Sequence, residues 1–463
     1  MNAIPPFDAE LLRRYDRPGP RYTSYPTAPH FTPRFSAADY RRAAEASNSD
    51  PIPRPLSLYL HVPFCLSPCF YCGCNRIITR DLERGERYLR YVQKELSHVA
   101  PLLDSDREVI QLHLGGGTPN FLKPELMEGM VQALGREFRF STRADRDFSI
   151  ELDPRSVNPE GIAHLASLGF NRASLGVQDF DPSVQEAVNR VQSVEETLAV
   201  VDACRAHGFR SINVDLIYGL PRQNLAGFAR TLDTVIAVRP DRLAVYSYAH
   251  LPELFRAQKQ IRAEDLLPPE MKLRLLELAI EKLSAAGYRY IGMDHFALPE
   301  DELSRAQERG SLQRNFMGYT THAETDLIGL GMSSISRIGD VYAQNARELG
   351  AYEAALDAGR QPVAKGLKLD SDDLLRADLI QHLMCQGEIV PAALEERYGI
   401  EFADYFSTAL AKLAPLEADG LVRIRPDRIE VTERGRMLMR LVAMCFDRHL
   451  DQQNEPLRFS KAI

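Results

Sequence analysis

The segment that decides the fold reads LSLYLHVPFCLSPCFYCGC and covers residues 56–74. Its first seven residues form an apolar run of the length typical of a buried β-strand. The stretch from Cys65 to Cys74 then contains four of the chain's seven cysteines. The segment therefore predicts a strand that ends in a dense group of thiols.

The same succession of a short apolar run and an amphipathic segment repeats along the chain. Predicted strands lie at 56–62, 109–115, 148–153, 172–177, 211–219, 242–249 and 288–297, and predicted helices at 87–99, 124–138, 159–169, 194–208 and 271–287. Only a crossover connection returns a chain for parallel pairing, so the alternation predicts an α/β fold with a parallel sheet. The number of units favours a complete or partial (β/α) barrel, in which functional residues collect at the C-terminal ends of strands.

The flanking regions differ from this repeat, and three domains are expected. Residues 1–55 are rich in Pro, Tyr and Arg and predict an irregular N-terminal arm with one short helix near Ala37–Ala46. Residues 56–360 form the predicted barrel. Residues 361–463 predict a mainly helical C-terminal domain, with a β-ribbon at 421–435 and a final helix at 436–450. This last domain resembles a winged helix, and we expect it to cover the substrate.

Composition excludes several classes of protein. The chain has 463 residues, of which 44% are hydrophobic and 26% charged, as in ordinary globular proteins. A net charge of −8 gives no reason to expect nucleic acid as a partner. The first thirty residues have no apolar signal region, and no apolar run approaches the ~20 residues of a membrane helix. We expect a cytoplasmic protein with reduced cysteines and no membrane partner.

Three kinds of chemistry compete for the cysteine cluster. Cys65, Cys69 and Cys72 have C-x3-C-x2-C spacing, and Cys74 follows. Disulfides are disfavoured by a reducing compartment and by strain in such short loops. Zinc usually takes four ligands in two separated pairs, and no second Cys/His pair follows. Iron–sulfur chemistry is favoured, because a tight loop can present three thiolates to one cluster and leave one iron for a small molecule.

Other polar motifs occur where predicted strands end. The glycines of GGGTP, residues 115–119, allow the backbone to approach a ligand closely, or simply form a tight turn. Glu151 ends a predicted strand, where an inward carboxylate needs an ammonium or hydroxyl partner or joins a salt bridge at the rim. Arg190 could hold a ligand carboxylate and Asp215 an amine or ribose, although ordinary surface pairing would also explain both residues.

The cysteine spacing resembles that of the radical S-adenosylmethionine (SAM) superfamily, and Tyr71 before the third cysteine also matches. This resemblance implies a partial (β/α) TIM-like radical SAM barrel, with one 4Fe-4S cluster held by Cys65, Cys69 and Cys72. The amine and carboxylate of SAM would bind the open iron. In the same family, the GGGTP element with Gly115, Gly116 and Thr118 contacts the methionine group of SAM.

A longer set of motifs resembles the oxygen-independent coproporphyrinogen III oxidase family. It comprises GPRYTSYPTA, LHVPFCLSPCFYCGCN, LGGGTPNFL, GVQDF, NVDLIYGLP, YAHLP, GMDHFA, NFMGYTT and YAQN, and it extends from about Gly19 to the C-terminus. The resemblance implies oxidative decarboxylation of two propionates of coproporphyrinogen III to vinyl groups, with an unidentified electron donor and acceptor. It also implies a monomer and a role in haem biosynthesis.

The resemblance further implies two bound SAM molecules and a set of site residues. Contacts to the first SAM are expected from Tyr59, Gly115, Thr118 and Glu151. Contacts to the second are expected from Gln178, Arg190, Asp215, Ala249 and Ile335. The candidate catalytic residues are Tyr59, Cys74 and Glu151, and Cys74 is expected to face the cofactor or substrate unless it simply packs.

One position departs from the family pattern, since Met317 stands where Gln is expected. Any polar contact of that Gln would be absent. Two alternatives to the oxidase are a haem chaperone of the same superfamily and a zinc-stabilised scaffold. As we understand the family, the chaperones lack a cysteine at the position of Cys74 and most of the N-terminal arm, and this chain has both.

Overall fold

The computed structural model describes residues 7–322 and 324–451, and it divides the chain into two compact units. The barrel unit comprises Phe31–Met271 and Glu324–Lys368. The three-segment unit comprises Met1–His30, Lys272–Ala323 and Leu369–Ile463. The three-domain division expected from the sequence stays a prediction. In the described residues, no helix combines the length and apolarity needed to cross a bilayer.

A large sheet forms the centre of the barrel unit, with strand order β9-β8-β7-β6-β4-β1-β14-β15-β16-β17. Neighbours from β9 to β14 pair in parallel, whereas β15, β16 and β17 add in antiparallel fashion. The strands of this unit are β1 (Leu56–Val62), β2 (Phe64–Cys65), β3 (Ile77–Ile78), β4 (Glu108–Gly116), β5 (Arg139–Phe140), β6 (Asp147–Leu152), β7 (Arg172–Gln178), β8 (Ser211–Tyr218), β9 (Arg242–Ser247), β14 (Asp326–Leu330), β15 (Ile335–Ile338), β16 (Val341–Asn345) and β17 (Val363–Lys368).

Helices connect these strands, and several begin at side-chain caps. Ser36 and Asp39 form a capping box at the start of α2, and Ser193 and Glu196 form another before α7. The helices of this unit are α2 (Ala37–Ala46), α3 (Glu83–Val99), α4 (Pro124–Glu137), α5 (Pro159–Ser167), α6 (Pro182–Ala187), α7 (Val194–Ala206), α8 (Leu225–Val238) and α11 (Leu349–Asp357). The alternation of strands and helices confirms the predicted α/β class with a parallel sheet.

The three-segment unit is mainly helical and has its own apolar core, which includes Leu379, Leu383, Leu413 and Phe446. Its strands include the antiparallel hairpin β10–β11, and its separate small sheets are the pair β12–β13 and a sheet of order β18-β20-β19. Its strands are β10 (Arg289–Gly292), β11 (His295–Ala297), β12 (Gln313–Asn315), β13 (Gly318–Thr320), β18 (Glu388–Ile389), β19 (Val422–Ile424) and β20 (Ile429–Val431). Its helices are α1 (Ala9–Tyr15), most of α9 (Pro269–Ala285), α10 (Glu302–Glu308), α12 (Ser371–Gln386), α13 (Pro391–Tyr398), α14 (Phe402–Tyr405), α15 (Ser407–Ala418), α16 (Met439–Met444) and α17 (Arg448–Asp451).

Two predicted elements are wrong. The single strand expected at 288–297 is the hairpin β10–β11, whose turn places Gly292 and Met293 at positive φ angles of 152° and 55°. The single helix expected at 436–450 is interrupted, because the Asp447 carboxylate accepts a hydrogen bond from the His449 amide at 2.9 Å and starts a new turn. The sequence reading also missed helix α1 and the antiparallel strands β15 to β17.

Candidate active site

Alternate residues on the central strands carry polar side chains, and their C-terminal ends surround a cavity of about 310 Å³. The burial pattern of β6 shows this alternation, because every second residue from Asp147 to Glu151 is only half-buried. The predicted site residues that line the cavity are Cys65, Cys69, Tyr71, Cys72, Cys74, Gly116, Thr118, Glu151, Gln178, Arg190 and Asp215. The cavity therefore collects residues from strands β4, β6, β7 and β8 and from the cysteine loop after β1.

The cysteine loop after β1 is held in shape by contacts to its backbone. Arg76 donates hydrogen bonds to the carbonyls of Cys72 at 2.9 Å and of Cys69 at 3.0 Å. Gly73 lies against Phe255, whose ring carbon would be 3.0 Å from an added Cβ atom. A residue larger than glycine at position 73 would press against this ring, so Phe255 packs closely against the cysteine loop.

The sulfur atoms of the loop have polar neighbours. Thr118 Oγ1 donates to Cys65 Sγ at 3.4 Å, and Arg190 Nη1 donates to Cys69 Sγ at 3.5 Å. Burial raises the pKa of Cys65 to about 11. A hydrogen bond from Cys74 lowers the pKa of the Cys72 thiol, which favours the thiolate form that metals bind.

Arg190 is buried beside the cysteines but is compensated by a carboxylate. It forms an ion pair with Asp153 at 3.2 Å, and it also donates to the carbonyl of Gly176. Arg155 contacts the same carboxylate at 2.6 Å. Burial would lower the pKa of Arg190, but Tyr71, Asp153 and Cys69 outweigh this effect and raise it. The guanidinium is therefore positively charged in the site.

Glu151 lines the same cavity from strand β6. Its carboxylate accepts a hydrogen bond from the Gly116 amide at 2.9 Å and lies 3.4 Å from Nε2 of His113. Burial alone would raise its pKa, but these partners hold the pKa below its ordinary value. The side chain is 43% exposed, and this exposed part faces the cavity. Glu151 is therefore an ionised carboxylate that can accept further hydrogen bonds.

The glycines of the 115–117 turn are required by close neighbours. An added Cβ atom at Gly115 would lie 2.9 Å from Glu151, and one at Gly116 would lie 2.5 Å from the His61 ring. Gly116 also has a φ angle of +115°, which L side chains rarely adopt. At Gly117 a Cβ atom would meet the Pro63 backbone at 2.7 Å. A side chain at any of these three positions would clash with its neighbours. Without side chains, the backbone of the turn is free to contact a ligand closely.

Asp215 on β8 has neutral partners. It accepts hydrogen bonds from Asn213 at 2.8 Å and Ser174 at 3.2 Å. Burial raises its pKa to about 6, because these neutral donors offset only part of the loss of hydration. Gln178, at the end of the neighbouring strand, has a positive φ of 69°, which turns the chain at the cavity wall.

Sequence and structure comparisons agree on the relationship of this chain to known proteins. Residues 59–235 match the Radical SAM superfamily, and residues 369–438 match the HemN C-terminal domain. The chain is 49% identical to the oxygen-independent coproporphyrinogen III oxidase of Pseudomonas aeruginosa over 457 residues, which cover 99% of each chain. The chain belongs to the oxygen-independent coproporphyrinogen III oxidase family.

The structural comparison extends this match to the fold. The structure of the Escherichia coli coproporphyrinogen III oxidase HemN, described as a radical SAM enzyme, is similar with a TM-score of 0.91. The two are 44% identical, and the match covers 96% of this chain and all of that one. The curated Escherichia coli relative is 45% identical over 99% of this chain and 98% of its own length. This similarity confirms the radical SAM fold expected from the cysteine loop.

Four of the residues predicted to form the site do not line the cavity. Tyr59 stacks on His113 with 5.8 Å between ring centroids, and its hydroxyl lies 3.1 Å from His61. Gly115 packs against Glu151, as described above. Ile335 begins β15, and its carbonyl is 2.7 Å from where a Cβ atom on Gly329 would lie. The cofactor contacts of these residues stay predictions.

Ala249, the fourth of these residues, is connected to the cysteine loop by a side chain that the sequence reading missed. Gln258 Nε2 donates to the carbonyls of Tyr71 at 3.0 Å and of Ala249 at 3.1 Å. Its side-chain oxygen accepts from the Leu251 amide at 2.5 Å. Gln258 lies far along the chain in an irregular segment, so no local motif identifies it.

Three further site residues that the sequence reading missed could have been found from strand periodicity. His61 follows Tyr59 by two positions on β1, and His113 precedes Gly115 by two positions on β4. Side chains two apart on a strand face the same side. Asn213 likewise precedes Asp215 on β8. His61 and Asn213 already lie within the quoted motifs LHVPFCLSPCFYCGCN and NVDLIYGLP, and His113 immediately precedes LGGGTPNFL, so the two-residue period would have identified all three.

The residues around the cysteine loop fit the cofactors that the superfamily implies, a 4Fe-4S cluster and SAM. In the described residues, no group of three His, Cys, Asp or Glu side chains converges on a single ion. The thiolates of a cubane bind different irons, so they need not converge in this way. Arg76 Nε and Arg190 Nε are buried without a hydrogen-bond partner among the described residues. These cations suit the negative charge of a thiolate-bound cluster.

Proposed function

We propose that this protein converts two propionate side chains of coproporphyrinogen III to vinyl groups, giving protoporphyrinogen IX. The observation that supports this most directly is 49% identity over 99% of the chain to a protein named for that oxidase activity. A second supporting observation is the cavity, which is lined by the cysteine loop and the ends of the parallel strands. The reaction is an oxidation, because each propionate loses carbon dioxide, one hydrogen atom and one electron.

In this proposal Cys65, Cys69 and Cys72 hold the cluster. When bound, the cluster and SAM supply a reducing electron and a 5′-deoxyadenosyl radical that takes the hydrogen atom from the propionate β-carbon. The residues of the chain position these groups and keep water away. Arg190 donates to Cys69 Sγ, and such a hydrogen bond to a ligand sulfur stabilises the more negative, reduced cluster.

Two SAM molecules are proposed, each with its own set of residues. Ionised Glu151 and the backbone of the 115–118 turn suit the amine and methionine group of the first. Positively charged Arg190 and the carboxylate of Asp215 suit the carboxylate and the amine or ribose of the second. Tyr59 and Cys74 are proposed to act near the reacting groups. Cys74 is exposed and lines the cavity, as this role requires.

The remaining expectations concern partners and location. The electron donor and acceptor are unidentified, and a monomer in the cytoplasm stays a prediction. Neither the haem chaperone nor the zinc-stabilised scaffold gains support from the comparisons, whose full-length relatives are named as oxidases.

The test is anaerobic turnover by protein with a reconstituted cluster, given SAM, a reductant and an electron acceptor. We expect protoporphyrinogen IX, with two molecules each of carbon dioxide and 5′-deoxyadenosine per molecule of product. SAM cleavage should depend on added coproporphyrinogen III. Stoichiometric haem binding without turnover would favour the chaperone, and colourless protein containing zinc would favour the scaffold.

A further inference from the structure

Two arginines of the barrel unit donate to the same cysteine sulfur. Arg190 Nη1 donates to Cys69 Sγ at 3.5 Å, and Arg155 Nη2 donates to it at 3.8 Å. Cys69 is 8% exposed, so water screens these charges only weakly. Arg155 and Arg190 both line the cavity. The sulfur of Cys69 is therefore the point of the loop at which two positive charges converge.

The other two cysteines that are proposed to hold the cluster have neutral donors in contact with their sulfur atoms. The Thr118 hydroxyl donates to Cys65 Sγ at 3.4 Å, and the Cys74 amide donates to Cys72 Sγ at 3.4 Å. Hydrogen bonds from charged donors are roughly twice as strong as those from neutral donors. The three sulfur atoms therefore differ in their surroundings, and Cys69 has the more electropositive one.

Local contacts fix the position of Arg155. The Asp153 amide donates to Oδ1 of Asn120 at 3.1 Å, which ties the end of β6 to the segment after the glycine turn. The Asp153 carboxylate accepts from the Arg155 amide at 3.1 Å and caps the short 3-10 turn Pro154–Ser156. It also accepts from Arg155 Nε at 2.9 Å. The guanidinium is therefore held toward the cysteine loop from both its backbone and its side chain.

The pairing with Asp153 does not by itself explain why a second arginine is present. Asp153 forms ion pairs with Arg155 at 2.6 Å and with Arg190 at 3.2 Å, and among the described residues it is the one carboxylate within 4 Å of either guanidinium. Burial would raise the pKa of Asp153, but the two arginines hold the pKa below its ordinary value. Asp153 is therefore ionised, and its single negative charge offsets one of the two cations.

We infer that Arg155 is a positioning residue for electron transfer, which stabilises the reduced cluster through the sulfur of Cys69. This inference rests on the proposed function, because that function places the 4Fe-4S cluster on the cysteine loop. Reduction by a one-electron donor adds one negative charge to the cluster and its sulfurs, and a guanidinium at a ligand sulfur favours that charge.

Arg155 and Arg190 differ in what else they are proposed to do. Arg190 is proposed to hold the carboxylate of the second SAM, and a carboxylate bound there would offset its positive charge. Arg155 is not assigned to SAM, so its charge remains available to the sulfur of Cys69 whether SAM is bound or absent. The two arginines therefore divide the binding of SAM and the tuning of the cluster between them.

The test is a redox titration of anaerobically reconstituted protein with a titanium(III) reductant, without SAM, followed by EPR of the reduced cluster. Arg155→Gln should have a more negative midpoint potential than the wild type, with unchanged iron content. The ratio of reduced to oxidised cluster at a fixed potential should fall about tenfold, which is about 59 mV for one electron. Arg143→Gln is the matched control, because Arg143 is 61% exposed in the same unit and its variant should titrate as the wild type does.

Asp153→Asn separates this electrostatic role from a structural ion pair. It removes the negative charge that offsets the arginines, and its amide oxygen can still accept from Arg155, so its midpoint should be less negative than that of the wild type. An Arg155→Gln protein with normal iron content and an unchanged midpoint would overturn the inference. If Arg155→Gln loses its iron, an unchanged or more negative midpoint in Asp153→Asn would overturn it. Wild-type protein that holds no EPR-active cluster after reconstitution would instead refute the proposed function.

Discussion

Buried arginines occur in both units, but their partners differ. Arg190 in the barrel unit has the carboxylate of Asp153 and the sulfur of Cys69 within 3.5 Å. Arg314 in the three-segment unit has a backbone carbonyl and an aromatic ring, and no carboxylate among the described residues. The protein itself compensates the first charge and leaves the second incompletely compensated.

This difference separates an arginine that acts on the cysteine loop from one that contacts a backbone carbonyl and an aromatic ring. A compensated arginine can orient neighbours and tune the sulfur beside it. A buried arginine without a carboxylate partner contributes less to stability than a paired one, because its loss of hydration is not offset. The four predictions below test this distinction in order of decreasing effect.

Cys69→Ser should have the largest effect, because it removes one thiolate of the proposed cluster. We expect loss of iron and of SAM cleavage, and turnover reduced to background. Iron content, SAM cleavage and formation of protoporphyrinogen IX measure the three properties. Cys204→Ala, at a buried cysteine of α7, is the control and should keep its iron. A Cys69→Ser protein with normal iron content would remove the basis of the proposed site.

Asp326→Ala should cost about 3–5 kcal/mol of unfolding free energy, the cost of leaving a buried charge unpaired. Asp326 pairs with Arg107, and their side chains are only 3% and 1% exposed. The substitution leaves Arg107 without its carboxylate partner. Arg107 would then resemble Arg314 of the other unit, which has no carboxylate partner among the described residues. Urea unfolding of the wild type and of Asp202→Ala, at an exposed aspartate of the same unit, provides the reference. A loss below about 1 kcal/mol would show that this fold tolerates unpaired arginines without functional need.

The sequence predicted the barrel site far better than the contacts of Arg314 and Arg440 with the backbone of residues 20–21. Cys65 to Cys74, the 115–119 turn, Glu151 and Asp215 each lie where one strand ends, so local pattern and parallel topology bring them together. Arg21 and Arg440 lie more than four hundred residues apart, and their meeting depends on tertiary packing that no periodicity encodes. The hairpin at 289–297 was missed for a related reason, since its turn lies inside one apolar run.

Asp215→Asn should change the pH dependence of stability, because Asp215 is a buried carboxylate whose hydrogen-bond donors are neutral. Burial raises its pKa from 3.8 to about 6, so the folded protein retains a proton that the unfolded chain loses. This contribution to stability is fully present below pH 3.8 and is lost as the pH rises through 6.

Between pH 5 and 7, wild-type stability should therefore fall by about 1–2 kcal/mol relative to Asp215→Asn. Urea midpoints across this range measure the difference. Asp202→Asn, at an exposed aspartate on α7, should follow the wild type. Parallel curves for the wild type and Asp215→Asn would show that Asp215 is already ionised and compensated.

Arg314→Gln should have the smallest effect on stability, within about 1 kcal/mol of the wild type. The amide can still donate to the Arg21 carbonyl, and the lost contact with the Tyr319 ring, worth about 0.5–2 kcal/mol, is offset by removing an uncompensated charge. Thermal melts of the two proteins measure the difference. Stability reduced by more than about 3 kcal/mol would show that the fold needs Arg314 as it needs Arg107, and the distinction between the two kinds of arginine would fail.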